Sequence, residues 1–157
     1  MSAKAAASDR IEKTIVLRAP RARVWRAISD AAEFGSWFRV DFAGVSFVPG
    51  AIVRGRLTYP GYEHLTLEIA IERMEPGRLL SFRWHPYAVD PAVDYSKEPT
   101  TLVEFDLEDA AEGTRLTVVE SGFDRIPFHR RAEAQRMNDA GWAEQVRNID
   151  VHVAGAK

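Results

Sequence analysis

The sequence predicts an α+β fold: one strongly curved antiparallel sheet of seven strands, two short helices after the first strand, and a long C-terminal helix gripped by the sheet. Three observations carry this reading. Runs of alternating apolar and polar residues fill residues 10–17 and most of 40–123. Three Pro-Gly turns, "VPGA", "YPGY" and "EPGR", punctuate those runs at spacings of 11 and 16 residues, which suits a meander of adjacent strands. The last stretch, from about Pro127 to Val153, is rich in helix formers and, at 27 residues, spans about 40 Å. It is the one element long enough to cover the apolar face of such a sheet.

Each element follows in order. "RIEKTIVLRAP" sets Ile11, Lys13, Ile15 and Leu17 against Glu12, Thr14, Val16 and Arg18 and reads as the first strand. Pro20 suits the first turn of a helix, and "RARVWRAIS" places Val24, Trp25 and Ile28 on one side. A second short helix, "AAEFGSWF", follows with Asp30 as its N-cap. The strands expected next are "VDFAGVSF", "AIVRGRLTY", "HLTLEIAIERM", "LLSFRWH", "TTLVEFDLE" and "TRLTVVESGF". In each Pro-Gly turn, proline pre-sets φ at position i+1 and glycine supplies the positive φ of a type II turn at i+2. One domain is expected over residues 10–153, with a flexible arm at 1–9 and a flexible tail at 154–157.

The long helix poses its own question in "MNDAGWAEQV". Trp142, Val146, Ile149 and Val153 form an apolar stripe, which continues backward through the polar Asn138, Gln135 and Arg131. The N-terminal half therefore faces solvent, a polar cavity mouth or another direction after a bend. Gly141 sits at the change, where a mid-helix glycine costs about 1 kcal/mol relative to alanine. It serves a close approach or a kink, or it merely lets Trp142 pack.

Composition narrows the function. Hydrophobic residues make up 46% of the 157 residues and charged residues 28%, with a net charge of −2. That balance argues against nucleic acid as the main partner. No cysteine is present, which excludes thiol catalysis and thiolate metal sites. No apolar run approaches the ~20 residues of a membrane span, so no membrane insertion is expected. The expected state is a cytoplasmic monomer or weak homodimer. His64, His85, His129 and His152 are scattered singly, without metal-ligand spacing. No nucleophile elbow, phosphate loop or dinucleotide fingerprint occurs, and no cofactor or metal is expected. The histidines read as surface or rim residues. The arginine-rich stretches 18–26 and 125–136 read as solvated helix faces.

Five residues stand out as candidates for a ligand cavity. Glu120 shares a strand face with Leu116 and Val118: either its carboxylate points into the grip, with a cavity role or bonded to a nearby arginine or tryptophan N–H, or strand parity fails near the strand's end. On the cavity reading Glu120→Gln alters ligand binding with only modest loss of stability. Trp84 shares a face with Leu80 and Phe82. Trp37 and Phe38 close the short-helix corner, and Trp142 heads the apolar stripe. Core packing competes with a cavity role at each aromatic position. The irregular segment "PYAVDPAVDYSKEP", residues 86–99, is either a rim over the cavity or an exposed hairpin end.

The stretches "APRARVWRAISD", "FGSWF", "TLVEFDLE", "GTRLTVVESGF" and "GWAEQVRNI", in this order, resemble the Bet v 1-like, START-related (SRPBCC) superfamily. Within it they resemble the branch named after the C-terminal domain of the activator of Hsp90 ATPase. The resemblance covers residues 10–153 and implies the helix-grip fold, with a ligand cavity between sheet and last helix. That fold hosts carriers, cyclases, hydrolases and co-chaperones. The leading expectation is a binding protein for a small apolar or amphipathic ligand, such as a fatty-acid probe. The alternatives are a cavity-based enzyme of cyclase, dehydratase or hydrolase type, with Glu120 or a histidine as acid/base, and a chaperone-associated surface module.

Overall fold

The computed structural model describes residues 10–155. The arm expected at 1–9 and residues 156–157 lie outside them. The chain runs β1 (Arg10–Leu17), α1 (Arg21–Ser29), α2 (Ala31–Phe38), β2 (Val40–Asp41), β3 (Ile52–Leu57), β4 (Thr66–Glu75), β5 (Leu79–Trp84), β6 (Thr101–Ala110), β7 (Gly113–Ser121) and α3 (Phe128–Gly155). Residues 154 and 155, expected in a tail, continue the last helix. None of the described helices is long and apolar enough to cross a membrane.

The seven strands form one antiparallel sheet in the order β1-β7-β6-β5-β4-β3-β2, a meander closed by β1 against β7. Each Pro-Gly turn behaves as its chemistry dictates. Gly50, Gly61 and Gly77 have φ of 89°, 93° and 75°, and the N–H of Ala51, Tyr62 and Arg78 donates back to the carbonyl three residues earlier. A register shift in β4 between Ile71 and Arg73 interrupts its pairing with β5, a bulge of the kind that bends a strand.

The expected strand over "VDFAGVSF" survives only as Val40–Asp41. Gly44 turns the chain at φ 75°, and Phe42 and Phe47 drop from the loop into the core, edge to face at 5.6 Å. Hydrophobic burial there is met by two aromatic plugs rather than by strand alternation. At the centre of the core Phe34 touches the rings of Trp37, Phe38, Phe42, Phe47, Phe82 and Phe105, with centroids 4.8–6.3 Å away.

Asp30 caps α2 as expected, accepting from the Glu33 N–H, whereas Pro20, expected in the first turn of α1, stands one residue earlier as its N-cap with extended backbone. The solvated-face reading of the arginines is corrected at Arg23, whose side chain is largely buried. Arg23 and Arg26 both donate to Glu33, and His152 near the end of α3 meets the same carboxylate at 2.9 Å. Burial works against charge on Glu33, but hydrogen bonds from His152, Arg23 and Arg26 outweigh it and hold the carboxyl below its ordinary range.

Gly141 is exposed, α3 is continuous across it, and a Cβ added there would meet nothing within 4 Å. The close-approach reading is therefore overturned. The glycine that does serve a close approach is Gly35, where a Cβ would overlap the Val40 carbonyl oxygen as the chain doubles back from α2 into β2.

These two glycines give opposite expectations. Gly141→Ala raises stability by up to ~1 kcal/mol, whereas Gly35→Ala lowers it by roughly 2–4 kcal/mol; urea denaturation of the two variants checks both signs. For Glu33, a depressed folded-state pKa contributes stability that is full above the ordinary glutamate value of about 4.3 and is lost as pH falls through the lower folded value. Glu33→Gln is accordingly less stable than the wild type at pH 7, by about 1 kcal/mol. That gap narrows as pH falls below about 4.5, as thermal melts at successively lower pH would show.

Candidate functional site

Strand parity turns Glu120 inward beside Leu116 and Val118, opposite Ile11 of β1 and Val103 of β6. Its side chain is fully buried, at 0% exposure. No arginine, lysine or histidine pairs with it among the described residues. Four uncharged donors reach it instead. Trp84 Nε1 and Thr101 Oγ1 donate to Oε2 at 2.7 and 2.5 Å. Trp142 Nε1 donates to Oε1 at 2.8 Å. Asn138 Nδ2 straddles the two oxygens at 3.0 and 3.1 Å. These donors fill the roughly four acceptor positions of a carboxylate. Asn138 and Trp142 lie four residues apart and so share one helix face. Trp84 and Trp142, both bonded to Glu120, stack with centroids 5.7 Å apart and planes 29° from parallel.

The space between the second half of α3 and strands β6–β7 is filled. Trp37, Phe105, Leu116, Val118, Trp142 and Ile149 close on one another and leave no room for a water molecule. The open volume lies to one side, a cavity of about 480 Å³. Leu57, Leu65 and Leu67, at the β3–β4 end of the sheet, form one wall. Phe38, Trp84 and Asn138 form the inner surface. Tyr87, Ala88, Val89, Asp94, Tyr95 and Ser96 form the outer wall, so the irregular segment 86–99 borders the cavity.

That segment is held from beneath by Arg130, in the first turn of α3. Its guanidinium donates to Glu98 at 2.8 Å and to the Pro86 carbonyl at 2.9 Å. It also lies 4.8 Å from the centre of the Tyr95 ring. The side chains of Arg130 and Glu98 are only 13% and 15% exposed, so Arg130 corrects the solvated-face reading in the same way as Arg23. His85 bonds the Glu98 carbonyl through Nε2 at 3.1 Å. A carbonyl only accepts, so Nε2 carries the hydrogen and Nδ1 is left as an acceptor in the neutral ring. Hydrogen bonds from Ser96 Oγ and N hold the Asp94 carboxyl below its usual range.

Of the five residues singled out from the sequence, Phe38 and Trp84 line the cavity. Trp37 and Trp142 lie in the filled part, and the Trp37 indole donates to the Ala27 carbonyl at 2.9 Å. Glu120 lies behind Trp84 and Asn138 and does not border the cavity. Helical spacing placed Asn138 on the polar part of the stripe, but nothing local pointed to its bond with Glu120. His85 read as a rim residue, while the three leucines of the β3–β4 wall carried no signal beyond strand alternation.

Solved structures share this architecture. DynU16, a protein in the dynemicin biosynthetic locus, is 25% identical, with a TM-score of 0.70 over 95% of this chain. This chain spans about half of DynU16's length, 48%. Protein MLL2253 from Mesorhizobium loti is 19% identical over 94% of this chain and 98% of its own, with a TM-score of 0.71. Protein NE0264 from Nitrosomonas europaea is 18% identical over 96% and 97%, with a TM-score of 0.73. No curated protein matches the chain. The family described as activator of Hsp90 ATPase homolog 1-like protein matches residues 18–154. With its seven-stranded sheet around a C-terminal helix, the chain belongs to that family, within the SRPBCC superfamily.

Proposed function

We propose that this protein binds a small amphipathic molecule in the cavity bordered by Phe38, Trp84, Asn138 and the 86–99 segment. The observation that carries the reading is the cavity itself: about 480 Å³, walled by three leucines and aromatic rings, with Thr66, Glu68, His85, Asp94, Ser96 and Asn138 as polar groups among them. Volume and lining of this kind suit a small organic ligand. Apolar walls supply affinity, and the polar groups fix orientation.

The acid/base version of the enzyme reading gains no support from Glu120. A general acid or base must come within hydrogen-bond reach of the reacting group. Glu120 is sealed behind Trp84 and Asn138, with both oxygens already engaged. Its bonds instead tie α3 to β5 and β6.

The binding reading is tested with Nile red, a neutral apolar dye. One saturable site is expected, and Leu57→Trp, which fills the cavity, weakens binding at least tenfold while the protein still melts cooperatively. No saturable binding by the wild type, or equal binding by Leu57→Trp, would overturn it. The structural role of Glu120 has its own check. Glu120→Gln turns an NH₂ group toward converging N–H and O–H donors, so it costs roughly 2–4 kcal/mol of stability in urea denaturation, where the sequence alone suggested a modest loss.

A further inference from the structure

The polarity of the cavity follows from how Asn138 is held. Both of its bonds to Glu120 leave from Nδ2, because carboxylate oxygens only accept. The amide is planar, so Oδ1 points away from Glu120. It makes no hydrogen bond among the described residues, yet it is not shut off from solvent. Asn138 lines the cavity, and we infer that this is the space its Oδ1 faces. Trp84 reinforces the effect: its one N–H is spent on Glu120, so the cavity meets only its ring.

The charges around the cavity point the same way. No lysine or arginine borders it, whereas Glu68 and Asp94 do. Arg54 pairs with Glu68 at 3.1 Å, and Arg130 is committed to Glu98 and the loop carbonyls. His85 is the one lining residue able to carry a positive charge; an anionic headgroup placed away from it would face the Asn138 carbonyl and the Asp94 carboxylate. An anion that gives up water without gaining a partner is disfavoured. A hydroxyl or ammonium group would instead donate to Asn138 Oδ1.

The geometry points to a cavity selective for ligands that carry a hydrogen-bond donor, an alcohol or an amine, on an apolar body, with Asn138 as the receiving group and Glu120 as the residue that positions it. This rests on the binding reading above and narrows its ligand class. It also sets aside the fatty-acid type of ligand, whose carboxylate has only acceptors to offer.

The test is calorimetric titration of the intact protein with four naphthalene probes that differ at one end: 2-ethylnaphthalene, 2-(2-naphthyl)ethanol, 2-(2-naphthyl)ethylamine and 2-naphthylacetate. At about pH 8 an ordinary histidine is neutral, the amine is still cationic and the acid is anionic. The alcohol and the amine are expected to bind at least tenfold tighter than the acid, and the alcohol tighter than the hydrocarbon. In Asn138→Leu, checked for folding by a thermal melt, the hydrocarbon still binds while the advantage of the alcohol over it disappears. If the acid binds as tightly as the alcohol, the inference falls and the binding reading stands. If none of the four probes binds the wild type, both fall together. The comparison among probes needs no variant, so it decides the matter even where Asn138→Leu does not fold.

Discussion

A carboxylate buried without a cation is the constraint around which this molecule is arranged. Glu120 has left water completely, and the desolvation of an unpaired buried charge amounts to several kcal/mol. Only dense hydrogen bonding offsets it, and the donors arrive from three separate elements: Trp84 at the end of β5, Thr101 at the start of β6, and Asn138 with Trp142 on α3. Apolar surface alone would tolerate sliding of a helix on a sheet. A carboxylate with four donors does not, because a shift of one residue strands at least one polar group in the core. The Glu120 cluster therefore fixes the register of α3. Bonds at its periphery, Tyr59 to Glu144 at 2.7 Å and Gln145 to the Phe38 carbonyl at 3.1 Å, hold the same alignment.

The cluster also divides the space between sheet and helix. On one side the rings gathered around Phe34 pack solid. On the other side, past Trp84 and Asn138, the sheet offers leucines and the facing wall is an irregular loop, which brings fewer large side chains to fill the gap. A wall of irregular chain needs its own support. Arg130 provides it with bonds to Glu98 and to two loop carbonyls, and with its place over the Tyr95 ring. A largely buried arginine–carboxylate pair is tolerable there because the guanidinium also satisfies backbone acceptors.

Much of this was legible where the physics is local. Strand alternation turned Glu120 inward, Pro-Gly pairs set the turns, and Asp30 marked the start of α2, because each depends on residues a few positions apart. Long-range pairings were not legible. Arg23 and Arg130 have the helical spacing of solvated residues, and only the fold brings Glu33 and Glu98 against them. Gly141 drew attention because propensity is read along the chain. Gly35 matters because the chain crosses itself there, which no local pattern records. The stretch "VDFAGVSF" failed as a strand because burying Phe42 and Phe47 outweighed extending the sheet edge. The cavity's position lay beyond the sequence altogether, since empty volume is what remains after every side chain has been placed.

The polarity of that cavity follows from the chemistry of a group outside it. A carboxylate only accepts hydrogen bonds, so each neighbour must turn its donor toward it and show the opposite end elsewhere. For Trp84 the opposite end is an aromatic ring; for Asn138 it is a carbonyl oxygen. The inner surface of the cavity is thus an apolar ring beside an acceptor. Had an arginine stood behind the same residues, Asn138 would face it with Oδ1 and offer an N–H to the cavity, with the selectivity inverted. The choice of one buried charge sets both the docking of the helix and the polarity of the cavity floor.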